Sequence, residues 1–173
     1  MIITQPVPGE YPAYYENYFP LLDKNKPVLE QMHEDGEKCA KIIAALPQQK
    51  WHYAYAEGKW TCLQVLQHII DTERIFTYRA LCIARGEKQS LPGFNENTYA
   101  ATVEMKHKTA GLVSLEWTSV RQASLAFYMG LTDAEAKRVG HANNSSMSVN
   151  AIAYITVGHA RHHFNVLAQR YFT

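Results

Sequence analysis

Residues 148–171, SVNAIAYITVGHARHHFNVLAQRY, carry apolar or buried-type side chains at Val149, Ile152, Ile155 with Thr156, His159, His163, and Val166 with Leu167. A recurrence every three to four positions is the signature of a helix with one face turned to a core. His159 and His163 share that face. They are four residues apart, so both rings leave the same side of the helix one turn apart, close enough to hold a single metal ion. His162 points elsewhere, rotated by about 100° from its neighbour. A lone histidine on an apolar face is usually a core residue satisfied by one hydrogen bond. A pair at helical spacing puts two polar rings where each needs a partner. The pair therefore admits two readings, core residues or metal ligands, and a third ligand elsewhere favours the metal.

The remaining chain supplies three more helices of similar length. Pro27 suits a first helical position, and a helix over 27–46 turns Val28, Met32, Cys39, Ile42 with Ile43, and Leu46 inward before Pro47 stops it; Gly36 weakens its middle. Thr61 and Gln64 have capping-box spacing, so a second helix begins there, with Val65, His68 and Ile69, Thr72, Phe76, Ala80 and Ile83 as its stripe and Gly86 as its stop. His68 lies on or beside that stripe. A third helix begins near Thr102 or Thr109 and runs to Met129, with Leu112, Leu115, Val120 and Leu125 among its apolar positions. Thr132 and Glu135 repeat the capping-box spacing and predict a short helix to Arg138.

Between these lie connections. The first 27 residues are broken by Pro6, Pro8, Pro12 and Pro20 but rich in tyrosine, which predicts a short helical turn lying on the bundle as an aromatic lid. Residues 51–60 read as an extended connection, 88–100 as a loop able to shape a pocket, and 140–147 as a turn-rich link. The expected fold is all-α: one domain over 1–173, an up-and-down four-helix bundle with short extra helices.

Composition narrows the function. Seventeen Lys and Arg stand against 16 Asp and Glu, for a net charge of +1, and neither sign runs in blocks, so a nucleic-acid partner is not expected. No apolar run reaches transmembrane length and the first residues lack a signal-peptide pattern, so a cytoplasmic protein with no membrane partner is expected. Cys39, Cys62 and Cys82 are widely spaced and read as core thiols, although Cys62 near a helix start could have a lowered pKa.

If adjacent helices bring His68 to His159 and His163, three neutral nitrogen donors suit zinc, nickel, copper or iron(II) and leave a coordination position open, the mark of a catalytic rather than structural site. Asp71 and Glu73 then read either as acceptors that orient a ligand histidine or as ion-pair partners of Arg74 and Arg79, the first reading being preferred for Asp71 and the second for Glu73. His162 reads as exposed or interhelical, with a supporting role as proton shuttle or replacement ligand. Trp60 and Tyr171 read as packing residues.

Several of these residues form a pattern: Gly58-Lys59-Trp60-Thr61, His68 with Asp71, Glu73 and Arg74, Arg79-Ala80-Leu81, Gly158-His159 and His162-His163 before Arg170-Tyr171. The pattern resembles the DinB-like (DNA-damage-inducible) family over nearly the whole chain. The resemblance implies a four-helix bundle with a divalent metal on His68, His159 and His163, zinc or nickel first and iron or manganese after them. It also implies a homodimer, and despite the family's name it implies no DNA binding. The wider superfamily includes transferases that use bacillithiol, mycothiol or glutathione, and a mycothiol-dependent maleylpyruvate isomerase. A metal-dependent small-thiol S-transferase is therefore the first expectation, with a small-molecule substrate and a low-molecular-weight thiol as partners. A hydrolase comes second, and a non-catalytic metal- or ligand-binding stress-response protein is the alternative.

Overall fold

The computed structural model describes residues 3–104 and 106–172; Met1, Ile2, Met105 and Thr173, and with them the outer ends of the expected 1–173 unit, lie outside the described residues. Four long helices make the framework: α1 (Val28–Ala45), α3 (Cys62–Ala84), α5 (Ala110–Met129) and α7 (Val149–Arg170). Short helices α2 (Gln48–Trp51), α4 (Glu96–Thr102) and α6 (Asp133–Ala136) sit in the connections, and a 3-10 segment, Ala13–Leu21, precedes α1. The expected all-α bundle with short extra helices is present.

The helix starts follow from the residues at them. Thr61 accepts from the Gln64 amide while the Gln64 side chain accepts from the Thr61 amide, and Thr132 with Glu135 repeats the arrangement at α6. Thr109 caps α5 and Ser148 caps α7, each by accepting an amide three residues on. Each such cap stabilises its helix by about 1 kcal/mol.

Around the bundle, α1 and α3 each pack on α5 and α7. Met32, Gly36 and Ala40 of α1 meet Arg121, Trp117 and Ser114 of α5 in reverse order, so these two are antiparallel. His68 and Phe76 of α3 meet His163 and His159 of α7, again in reverse. Gln67 and Thr77 of α3, however, meet Glu116 and Ser124 of α5 in the same order. The alternation of direction is thus interrupted once: α3 and α5 run parallel, and the connection 85–109 carries the chain back along the bundle. Arg161 ties α7 to its neighbours, with Nε donating to Asp35 at 2.7 Å and Nη1 donating to Gln31 at 2.7 Å and to the Leu21 carbonyl at 2.9 Å.

Three connections differ from the sequence expectation. The end of the 88–100 loop is helical from Glu96, because Asn95 accepts from the Thr98 amide. The 140–147 link is a hairpin, in which β1 (Val139–Ala142) pairs antiparallel with β2 (Ser145–Ser148). Its two-residue turn, Asn143 and Asn144, has φ of 50° and 58°, a left-handed pair that asparagine tolerates and that matches strand twist. Trp51 closes the short helix α2 instead of opening an extended stretch.

The core has two apolar clusters. One is built around Met32, Phe76, Tyr128 and Ile152, the other around Ile43, Leu66, Trp117 and Leu167. Leu112 and Leu115, expected inside, are 52% and 62% exposed. The face of α5 that is buried instead carries Val113, Trp117, Arg121, Ser124 and Tyr128. Gly36 makes that packing possible: a Cβ there would stand 2.8 Å from Arg121 Cγ, and its carbonyl accepts the Trp117 indole N–H at 2.9 Å.

Candidate metal centre

The antiparallel pairing of α3 with α7 brings His68 against the turn that carries His159 and His163. His68 Nε2 lies 3.0 Å from His159 Nε2, and one donor nitrogen from each of the three rings falls within 4.8 Å of the others. The ring centroids are 4.5–5.0 Å apart. Three imidazoles so placed either hydrogen-bond pairwise or direct lone pairs at one shared cation, and the donor set suits a borderline-soft divalent metal.

The surroundings favour neutral rings. Burial pushes the His68 pKa down from 6.5 to about 4, with the Glu96 carboxylate pulling the other way. His163 falls to about 3, first through burial and then through repulsion from His68 and His162. His159, buried and beside the other three rings, lies well below the ordinary value. At neutral pH all three present lone pairs, the form in which imidazole binds metals. Thr72 Oγ1 stands 3.4 Å from His68 Nδ1. A proton on Nδ1 donated to that hydroxyl leaves Nε2 unprotonated, the tautomer a ligand needs.

Thr72, and not Asp71, is the residue whose side chain stands beside His68 Nδ1. Asp71 accepts instead from Gln67 at 2.9 Å and from Arg74 at 3.3 Å, in a network that continues through Glu116 to Lys108. Glu73 does form an ion pair, but with Arg121 of α5 in place of Arg74 or Arg79: Arg121 Nη2 is 2.7 Å from Glu73 Oε2, both side chains 2% exposed. His162 is exposed, its ring centroid 5.0 Å from that of His163 and 5.7 Å from that of Tyr18. Cys62 is no activated thiol: burial pushes its pKa up to about 12, as it does that of Cys39.

A cavity of about 300 Å³ opens onto His68, His159 and His163. The tyrosine-rich lid lines it through Tyr14, Tyr15 and Tyr18, and the connection 85–109 lines it through Phe94 and Glu96. Gly158, next to His159, permits the lid's approach, since a Cβ there would stand 2.6 Å from Tyr18 Cβ and 2.9 Å from the Tyr18 carbonyl oxygen. A second cavity, about 400 Å³, adjoins His163 from the other side, and Trp60, Glu96 and His163 line both. Trp60, expected only to pack, lies with its ring 4.9 Å from that of His68. Tyr171 does pack, buried and donating its hydroxyl to the Trp60 carbonyl at 2.7 Å. Arg79 also lines the first cavity, which spacing alone did not reveal; the available signal was a basic residue on the inward stripe of α3, three positions after Phe76.

Fold and site together define a helical-bundle protein with three clustered histidines lining an aromatic cavity. The chain belongs to the DinB superfamily, whose family model matches residues 31–167. Among similar proteins is one from Bacillus cereus (strain AH820), 26% identical over 137 residues that make up 78% of either chain, which bears the name "putative metal-dependent hydrolase". A Bacillus anthracis protein of that name matches to the same extent. Among solved structures, Bacillus subtilis YfiT superposes with a TM-score of 0.70 over 96% of this chain and 90% of its own, at 15% identity. It is described as "a probable metal-dependent hydrolase with an unusual four-helix bundle topology". The DinB-like protein YjoA, also from Bacillus subtilis, gives 0.59 over 84% of this chain and 90% of its own, at 14% identity. At these identities the two structures speak for the fold. Among the described residues no helix is long and apolar enough to cross a membrane.

Proposed function

We propose that this chain is a metal-dependent enzyme in which His68, His159 and His163 hold one divalent cation, zinc or nickel in first place, and that it hydrolyses a small organic substrate. The observation that carries the reading is the convergence of three neutral imidazoles, two of them 3.0 Å apart at Nε2, at the floor of an aromatic cavity. The names of the Bacillus relatives support the hydrolytic side of it. When bound, a divalent cation on three protein ligands supplies Lewis acidity that lowers the pKa of a water or thiol at its open position.

The chain's own residues do the rest. Thr72 holds His68 in the ligand tautomer, and the lid and Trp60 shield the rings from bulk water. Glu96 is the carboxylate among the described residues lining both cavities, and it accepts the nucleophile's proton.

Thiol S-transfer is the second reading, favoured by the two cavities that meet at Trp60, Glu96 and His163. A transfer needs room for two organic reactants, where hydrolysis needs room for one. The test begins with elemental analysis of untagged protein beside His159→Ala. About one metal per wild-type chain, lost in a variant that keeps its helical circular dichroism, supports the site. No metal after exposure to zinc, nickel or manganese refutes it. Turnover of a 4-nitrophenyl ester in water alone then marks hydrolysis, whereas turnover only with an added small thiol, with the S-adduct seen by mass spectrometry, marks transfer. Bound metal without turnover in either assay favours a non-catalytic metal-binding role.

A further inference from the structure

Arg79 stands apart from the other buried or half-buried arginines. Arg121 and Arg161 each have a carboxylate partner. Arg79 is 4% exposed, and among the described residues no carboxylate pairs with it. Its one described hydrogen bond runs from Nη2 to the Pro92 carbonyl at 2.7 Å, while a guanidinium has five N–H donors. The Phe94 ring lies 5.9 Å from Cζ. Both residues line the cavity that opens onto the three histidines. Glu96, the acid in that cavity, forms no ion pair with Arg79 among the described residues.

A guanidinium stays charged at neutral pH, and burying it unpaired is costly unless a counter-charge arrives. The walls around it are aromatic: Tyr14, Tyr15, Tyr18, Phe76 and Phe94. We infer that the cavity binds a small organic anion with an aromatic or apolar body, its carboxylate or phosphate pairing with Arg79 and its body lying between the lid tyrosines and Phe94. This deepens the proposed function by naming the substrate class of the same site, and it rests on that reading for the chemistry but not for the binding.

The test compares 3-phenylpropanoate, its neutral isostere 3-phenylpropanamide and 2-phenylethyl phosphate by isothermal titration calorimetry. The proteins are zinc-loaded wild type, chelator-treated wild type, zinc-loaded Arg79→Met and zinc-loaded Arg79→Lys. Both wild-type preparations are expected to prefer an anion to the amide by about tenfold or more, the ordinary gain of a charge-assisted pair. Arg79→Met loses that preference while keeping its zinc, and Arg79→Lys retains part of it. Should Arg79→Met fail to fold, the wild-type comparison and Arg79→Lys still decide. The stronger of the two anions identifies carboxylate or phosphate as the natural group. An anion preference that vanishes with the metal and survives in Arg79→Met assigns the anion to the metal and overturns the inference, as does a wild type indifferent to charge. A chain that binds no zinc yet shows the Arg79-dependent preference would overturn the metal reading and leave the anion site standing.

Discussion

Glu73 and Arg121 are the residues on which the middle of the bundle turns. Their side chains are 2% exposed, far from the water that normally solvates such groups, and burial pushes the Glu73 pKa up while Arg121 and Ser124 oppose it. Removing one partner leaves the other charged and dry. Arg121→Met is therefore expected to cost about 3–5 kcal/mol, read from the urea midpoint, and the paired change Glu73→Leu/Arg121→Met to recover much of it. A double-variant loss equal to the sum of the losses of Glu73→Leu and Arg121→Met would show that the pair is not coupled. Gly158 is a second such residue. Because the Tyr18 carbonyl cannot turn aside as a side chain can, Gly158→Ala is expected to push the lid off α7 and cost about 1–3 kcal/mol. Thermal melting checks the cost, and Trp60 fluorescence checks the lid. At this scale the histidines were legible, because two rings four residues apart on an apolar stripe are hard to place otherwise. Arg79 and Arg121 were not. A basic residue in a sequence reads as surface, and only the packed neighbours show that these two point inward.

Between elements, the parallel pair α3 and α5 is clamped by Glu116. It accepts from Arg74 Nη1 at 2.7 Å and from Lys108 Nζ at 2.7 Å, with Gln67 Nε2 at 3.1 Å. Burial works against ionisation there, yet the bonds from Lys108, Arg74 and Gln67 outweigh it and hold the carboxyl down at about 2 against the ordinary 4.5. A depressed carboxylate pKa contributes stability that is complete above the unfolded value and disappears as pH falls through the folded one. The clamp should therefore weaken between about pH 4.5 and 2. Glu116→Gln is expected to remove about 2 kcal/mol at pH 7, after discounting for the half-exposed Arg74, and much less at pH 2. Urea midpoints at the two pH values test this, and an equal loss at both would refute it. The long helices could be read from caps and apolar stripes. The hairpin could not, because β1 and β2 have four residues each and offer no apolar alternation, so Asn143-Asn144 was the one usable signal. For α5 the apolar positions Leu112 and Leu115 misled, since the buried face is defined by Trp117, Arg121 and Tyr128, all of which carry polar groups.

Across the whole molecule the two apolar clusters meet at a polar seam. In α3 one cluster ends at Ile70 and the other begins at Phe76; in α5 the break lies between Trp117 and Leu125, and in α7 between Val157 and Ala160. Buried Thr72, Glu73, Arg121, Ser124 and His159 fall at those breaks. A cation at the seam would join the neighbouring helices α3 and α7, so on the proposed reading zinc stabilises the fold by mass action. At a free concentration of about one hundred times Kd the gain is about 2.7 kcal/mol, a rise in Tm of roughly 5–10 °C for a chain of this size. His163→Ala should abolish the rise. A wild-type Tm indifferent to zinc would count against the site.

The connection 85–109 has a consequence for how proteins of this shape diversify. It returns the chain along the bundle, and on its way it contributes Gly93, Phe94 and Glu96 to the cavity wall while the three histidines stay on α3 and α7. Part of the cavity wall is thereby set by a strap on the bundle, while the three histidines and Arg79 are held by its helices. Natural variation, or a designer, can change which molecule is admitted without revising the scaffold that acts on it.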